Sequence, residues 1–141
     1  MPRPLLLVLA LLFGVGAARA EPVSATMYKT PGCGCCEDYA KYLRQHGFIV
    51  TVKPTPNLTQ VSRQHGVPEK LAGCHTMMIG GYVVEGHVPV STINKLLSER
   101  PKIKGISLPG MPEGSPGMTG RKTEPFTIYE ISDDAKVFAV E

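Results

Sequence analysis

The most informative segment of the chain is Thr30-Pro31-Gly32-Cys33-Gly34-Cys35-Cys36-Glu37-Asp38. Three of the four cysteines lie in it, after a strand-like run that ends at Tyr28 and before a helix-like run that begins at Cys35. Cysteines at a helix N-terminus have a lowered pKa, because the helix dipole and the free N–H groups favour the thiolate. Thiolates attack disulfides and bind soft metals. The segment therefore predicts a redox site or a metal site.

The spacing of the cysteines narrows these alternatives. Cys33 and Cys36 form the C-x-x-C pair that is typical of thiol–disulfide oxidoreductases, and we assign them as the candidate catalytic pair. Cys35 lies between them, and the fourth cysteine is Cys74. A scaffold of structural disulfides fits poorly, because a bridge between adjacent cysteines is strained and only one of the three could pair comfortably with Cys74. Two reactive thiols or ligands would remain.

Residues 1–20 predict a secretory signal peptide. Arg3 supplies the positive charge, an apolar run extends to Val15, and Ala18-Arg19-Ala20 matches the small-residue cleavage rule. The run is too short for the alternative, a membrane anchor, which needs about 20 apolar residues. We therefore expect a periplasmic protein, residues 21–141, that does not contact the membrane after the signal is removed.

Charge and composition predict one domain without a polyanionic partner. The full chain has 15 Lys and Arg against 12 Asp and Glu. Removing Arg3 and Arg19 leaves 13 against 12, a mature charge of about +1 that does not favour nucleic acid. Residues 21–141 are enough to bury a core of their own.

The apolar periodicity predicts a mixed α/β fold with the order β-α-β-α-β-β-α. The expected strands are residues 25–28, 48–52, 77–79 and 82–85, and the expected helices are residues 35–45, 57–65 and 91–97. Asn57 and Ser91 are the expected helix caps. Residues 101–120, rich in Pro and Gly, predict a loop, and residues 126–140 predict a hairpin that extends the sheet. This order is that of the thioredoxin-like fold, in which the cysteine motif occupies the active-site position.

Several other side chains are candidate metal ligands. His75 adds a nitrogen ligand to Cys74 or bonds to the backbone, and Met111 and Met118 offer thioethers or pack in their loop. Other residues favour structural roles: His87 in a buried turn, His46 and His65 at helix ends, and Met77 and Met78 in the core. Soft thiolates also hold zinc, but structural zinc prefers paired C-x-x-C motifs. The crowded cysteines favour Cu(I), so copper is the predicted cofactor.

Four motifs in order carry a resemblance to a known family. They are Cys33-Gly34-Cys35-Cys36, Cys74-His75-Thr76, Glu85-Gly86-His87-Val88-Pro89 and the loop of residues 109–118. Together they resemble a family of exported bacterial proteins, long described only as a domain of unknown function, whose CopG-type members belong to copper-resistance systems. The resemblance covers roughly residues 25–120. It implies a thioredoxin-like fold, copper binding by the cysteine cluster and a redox role in periplasmic copper homeostasis.

Two functions follow as hypotheses. The first is a copper-binding protein that also interconverts Cu(I) and Cu(II), which would make it a copper oxidoreductase, and that exchanges copper with other periplasmic copper-handling proteins. The second is a thiol–disulfide oxidoreductase that acts on exported proteins through Cys33 and Cys36. Cys35 and the Cys74-His75 pair favour the first hypothesis, because a simple dithiol enzyme needs neither.

Overall fold

A computed structural model describes residues 21–141. The predicted signal peptide, residues 1–20, lies outside the described residues. The predicted mixed α/β class is confirmed: one seven-stranded sheet is covered by three α-helices. None of the helices within residues 21–141 has the length and apolar character needed to cross a membrane.

All seven strands belong to one mixed sheet. In chain order they are β1 (Ser24–Lys29), β2 (Ile49–Pro54), β3 (His75–Ile79), β4 (Tyr82–Gly86), β5 (Gly105–Leu108), β6 (Thr127–Glu130) and β7 (Val137–Val140). Across the sheet they lie in the order β2-β1-β3-β4-β5-β6-β7. The β1–β2 and β4–β5 pairs are parallel, whereas the other neighbours are antiparallel. The C-terminal hairpin, β6 and β7, thus extends this sheet as expected.

Three α-helices connect the strands. They are α1 (Gly34–Gln45), α2 (Leu58–Gln64) and α3 (Val90–Glu99), and a 3₁₀ turn (Glu69–Leu71) precedes β3. The prediction that Ser91 caps α3 is wrong, because Pro89 occupies the N-cap. Proline fits this position, since its φ is already fixed and it has no N–H to satisfy. The Ser91 hydroxyl instead donates to the Glu141 carboxylate over 2.6 Å.

The main core lies between the sheet and the helices α1 and α3. Its largest fully buried side chains include Tyr39, Leu43, Met77, Ile93 and Leu96. A second, smaller cluster contains Val67, Leu71, Val83 and Ile131, with Met78 packed against it. Met77 and Met78 thus pack on opposite faces of β3, as their adjacent positions predicted.

Strand β5 corrects the prediction that residues 101–120 form only a loop. It is parallel to β4 and antiparallel to β6, so both of its edges are hydrogen-bonded. Ile106, in the middle of β5, is fully buried. The Pro and Gly residues on both sides favour a loop locally, but pairing on both edges satisfies the backbone of a strand this short.

Candidate metal centre

Two neighbouring strands bring the four cysteines together. β1 ends at Lys29, and α1 begins just after Cys33, its N-cap residue. β3 runs antiparallel to β1, and its first residue, His75, pairs with Lys29. Because Cys74 immediately precedes that pair, it lies beside the N-terminus of α1. Residues that are far apart in sequence therefore meet at one end of the sheet.

The four sulfur atoms form one compact group. All lie within 4.8 Å of one another. The Cys36 Sγ is 3.4 Å from the Cys74 Sγ, the Cys33 Sγ is 3.5 Å from the Cys35 Sγ, and the Cys35 and Cys74 sulfurs are 3.9 Å apart. Sulfur atoms this close can bind one soft ion or bridge several ions as thiolates.

Two of the four cysteines are oxidised. Cys33 and Cys36 form a disulfide, and their Cα atoms are 5.5 Å apart. Cys35 and Cys74 keep free thiols and are half-buried. The disulfide sulfurs become thiolate ligands only after a two-electron reduction, so the number of available donors depends on the redox state.

Two histidines form a second donor group with Cys74. The His87 Nε2 lies 3.3 Å from the Cys74 Sγ, the His75 Nδ1 lies 3.6 Å from it, and both rings are fully buried. The His87 Nδ1 is 2.6 Å from the Pro116 carbonyl oxygen. A carbonyl only accepts, so Nδ1 carries the hydrogen and Nε2 presents a lone pair to Cys74. A histidine held in this way is oriented for metal binding.

The pKa values favour neutral histidines and a protonated Cys74. Burial, followed by the nearby His87, lowers the pKa of His75 to about 3. Burial also lowers the pKa of His87. Burial and then the neighbouring Cys35 raise the pKa of Cys74 to about 12, so this cysteine is a thiol when no metal is bound. Metal binding at Cys74 must therefore release its proton.

Close backbone packing places Cys74 beside His87. A Cβ atom at Gly73 would lie 2.9 Å from the backbone nitrogen of Gly86, so only glycine allows the two segments to approach this closely. The Gly73 N–H also donates to the Glu85 Oε2 over 2.8 Å. The Tyr39 ring packs against both histidines, with its centroid 5.0 Å from the centroid of each imidazole.

The loop of residues 109–118 packs against the site. Its Pro116 carbonyl accepts from His87, and a Cβ at Gly117 would lie 3.0 Å from the Cys35 carbonyl oxygen. Met118 follows Gly117 and is half-buried, whereas Met111 exposes 43% of its surface. The loop therefore borders the centre, while the assignment of both methionines as ligands stays a prediction.

Comparisons with known proteins identify the family of this chain. The family model described as "Protein of unknown function, DUF411" matches residues 71–118. A solved structure of "Copper resistance protein copG" in form 1 is 38% identical over 86% of this chain and 98% of its own, with a TM-score of 0.78. Form 2 of the same protein is 37% identical over 85% of this chain and 96% of its own chain, with a TM-score of 0.76. This chain belongs to the CopG-type copper-resistance family. No curated protein sequence matches it.

The donor set of this CopG-type chain fits copper. Thiolate sulfur is the ligand that Cu(I) prefers, and neutral imidazole binds copper in either common oxidation state. The family and a cysteine cluster that can hold a metal together indicate a copper-related function.

Sequence reasoning slightly favours a packing role for one residue of this centre, His87, and leaves a ligand role open. The structural role that the sequence favours for His87 leaves out its contact with Cys74. A histidine thirteen residues from the nearest cysteine has no recognisable ligand spacing. The available signal was the motif at residues 85–89, in which Gly86 has a φ of +73° and ends β4. The chain turns there, which directs His87 toward the cysteines.

Proposed function

We propose that this CopG-type protein is a periplasmic copper-binding protein of copper resistance and homeostasis. It binds Cu(I) through Cys33, Cys35, Cys36 and Cys74. The observation that carries the proposal is the group of four sulfur atoms, all within 4.8 Å of one another, at the N-terminus of α1. Such a group is too soft and too crowded for a magnesium or calcium site, and it suits Cu(I).

The two histidines extend the copper site inward. His87 offers Nε2, because its Nδ1–H is held by the Pro116 carbonyl, and His75 offers a neutral ring beside Cys74. Cys74 belongs to both donor groups. We therefore infer that it links the sulfur and nitrogen ligands, and that its loss affects copper binding more than loss of one histidine does.

The same protein interconverts Cu(I) and Cu(II), which makes it a copper oxidoreductase. Cys33 and Cys36 act as its redox pair, since their dithiol gives up two electrons when it forms the disulfide. A copper ion changes by one electron, so the oxidation of one dithiol balances the reduction of two Cu(II) ions. Other periplasmic copper-handling proteins would deliver or accept the ions at the half-buried cysteines.

The domain that carries this function is a single thioredoxin-like domain, residues 21–141. Two features support this. The first strands and helices follow the order β-α-β-α-β-β-α, and the C-x-x-C pair lies at the N-terminus of the first helix. The added strands β5, β6 and β7 continue the same sheet.

Copper titration of reduced protein tests the binding site. Under anaerobic conditions, we expect the parent protein to bind Cu(I) in preference to zinc. Cys74→Ser should lower the copper stoichiometry or weaken binding at least about tenfold, because it removes the sulfur shared by both donor groups. His87→Gln should weaken binding less, and His65→Gln, at an exposed helix end, should leave it unchanged. Parent-like binding by Cys74→Ser would show that Cys74 is not a ligand.

Oxidation of the Cu(I)-loaded protein tests the redox role. A mild acceptor should produce Cu(II) that stays bound and is visible by electron paramagnetic resonance, and a reductant should reverse the change. Cys33→Ser and Cys36→Ser should each abolish this cycle, because neither variant can form the disulfide. Copper that remains Cu(I), or that dissociates on oxidation, would show that the protein is a copper carrier or store and not an oxidoreductase.

A second candidate function is thiol–disulfide exchange with exported proteins. The Cys33–Cys36 disulfide at the start of α1 favours it, because a helix N-terminus favours the thiolate that carries out exchange and the half-buried Cys33 is partly accessible to solvent. The two functions separate experimentally. Catalysed reduction of a protein disulfide, by a protein that contains no copper after anaerobic purification, would support the exchange role over the copper role.

A further inference from the structure

Lys29 is a buried cation that contacts the cysteine segment. It is the last residue of β1, and only 3% of its surface is exposed. A buried ammonium needs polar partners to compensate for lost hydration. The Lys29 Nζ donates to the carbonyl oxygens of Thr30 (3.3 Å) and Cys33 (3.4 Å) and forms an ion pair with Glu37 (3.1 Å). All three partners belong to the segment that carries Cys33, Cys35 and Cys36.

The charge of this ammonium is only partly neutralised by its ion pair. The Glu37 side chain is 55% exposed, whereas that of Lys29 is 4% exposed. Water therefore screens the carboxylate more than it screens the ammonium. Every other lysine and arginine within residues 21–141 is exposed. Lys29 is thus the one buried positive side chain of the described chain, and it adjoins the cysteine centre.

We propose that Lys29 is a positioning residue that favours the reduced form of the Cys33–Cys36 pair over its disulfide. The disulfide is neutral, whereas the reduced pair is the form that can hold negative charge, because a helix N-terminus favours the thiolate over the thiol. The ammonium is hydrogen-bonded to the carbonyl oxygen of Cys33 itself, so its positive charge adjoins a residue of the pair and stabilises the charged form more than the neutral one. The proposal rests on the redox pair of the proposed function, and not on copper binding.

A purely structural role for Lys29 makes different predictions. If Lys29 only holds the loop backbone, its loss lets the two thiols separate after reduction, which favours the dithiol. Loss of Glu37 would loosen the same loop and shift the equilibrium in the same direction. A charge effect shifts the equilibrium in opposite directions in the two variants. Removing the ammonium favours the disulfide. Removing the carboxylate leaves the ammonium less neutralised, which favours the dithiol.

The test is the equilibrium of the metal-free protein with glutathione at pH 7 and low salt, without oxygen. One Cys33–Cys36 disulfide takes two electrons from two glutathione thiols, which gives two cysteine thiols and one glutathione disulfide. Alkylation and peptide mass mapping report the fraction of this disulfide. Lys29→Met should shift the equilibrium toward the disulfide by about tenfold, and Glu37→Gln should shift it toward the dithiol. Lys53→Met removes an exposed lysine of β2 that lies near Tyr28, and it should change the equilibrium by less than about twofold.

Each outcome decides the proposal. Shifts of the same sign in Lys29→Met and Glu37→Gln, or no shift in either, would overturn it and leave Lys29 as a backbone clamp. Should Lys29→Met fail to fold, the exposed Glu37→Gln variant decides by its salt dependence: a shift toward the dithiol that shrinks as salt is raised supports the charge effect, and a shift that salt does not change overturns it. If the parent protein binds no copper while Lys29→Met and Glu37→Gln show the expected shifts, the proposed function is overturned and the role of Lys29 stands.

Discussion

At the scale of single residues, Glu85 is the acid with the most unusual surroundings. Its side chain is fully buried on β4. One carboxyl oxygen accepts from the Gly73 N–H, while the other, Oε1, has no hydrogen-bond partner among the described residues. Burial raises the pKa of Glu85 from 4.5 to about 7, although the nearby Thr76 hydroxyl and the Gly73 N–H oppose the shift. A protonated carboxyl group is therefore the stable form in mildly acidic solution.

This shift predicts a loss of stability with rising pH. Between pH 4.5 and 7 the folded state holds a proton on Glu85 that the unfolded state has lost, so the free energy of unfolding falls as the pH rises. The contribution is at most about 3 kcal/mol. In urea unfolding at pH 4.5 and 7.5, Glu85→Gln should lose less stability than the parent over this interval. The lowered pKa of His75 makes the free energy of unfolding rise with pH instead, but this contribution is the same in the parent and in Glu85→Gln.

Exposed Glu69→Gln is the control, and it should follow the parent at both pH values. A stability difference between Glu85→Gln and the parent that does not change with pH would contradict the assigned titration.

The residues that sequence reasoning found and missed differ in a physical way. Cys33, Cys35 and Cys36 were predictable as one site, because local spacing and a helix N-terminus determine their chemistry. His87 was not, since it meets the cysteines only through the turn after Gly86. Lys29 is close to that segment in sequence, but its burial comes from a strand, β1, that is paired on both sides. Single residues whose role depends on tertiary contacts leave no periodic signal.

At the scale of elements, the loop of residues 109–118 allows a matched comparison of two glycines. Gly117 and Gly110 have φ angles of +80° and +82°, so alanine is strained at both positions. A Cβ at Gly110 meets nothing within 4 Å, whereas one at Gly117 would lie 2.6 Å from the Tyr39 backbone nitrogen. Only the Gly117 substitution therefore disturbs the contact between the loop and α1.

We expect Gly117→Ala to lower the free energy of unfolding by roughly 1–2 kcal/mol more than Gly110→Ala, because overpacking adds to the common backbone strain. Hydrogen exchange should be faster at Met118 in Gly117→Ala, since its N–H donates to the Ser115 carbonyl within the loop. Equal destabilisation by the two substitutions would argue that the loop does not pack on α1 in solution.

Among the elements, the strands and helices with strong periodicity were predictable, and β5 was not. Gly105–Leu108 has only four residues and lies in a segment rich in Pro and Gly. Its strand conformation comes from β4 and β6, which lie far from each other in sequence. A local pattern contains no information on two partners that are brought together by the rest of the sheet.

At the scale of the whole molecule, export is the prediction that sets the chemical environment. Cleavage after Ala20 should leave Glu21 as the mature N-terminus, because Ala18 and Ala20 satisfy the small-residue rule. The intact mass of protein recovered from the periplasm tests this. A mass that still includes residues 1–20 would indicate an anchored protein. In an oxidising compartment, the Cys33–Cys36 disulfide is the expected resting form.

The donor residues of the centre differ in how far they lie from solvent. Cys33, Cys35 and Cys74 are reached by water in part, whereas His75 and His87 are closed off completely behind them. Three of the four sulfur ligands thus lie nearer to solvent than the nitrogen ligands, whereas Cys36 is as fully buried as the two histidines. An ion that enters from solution meets sulfur before nitrogen, so the pathway admits thiophilic ions first. If the protein binds Cu(I) as proposed, three cysteine sulfurs contact the ion before either imidazole does, and the preference for a thiophilic ion begins at the solvent-facing side of the centre.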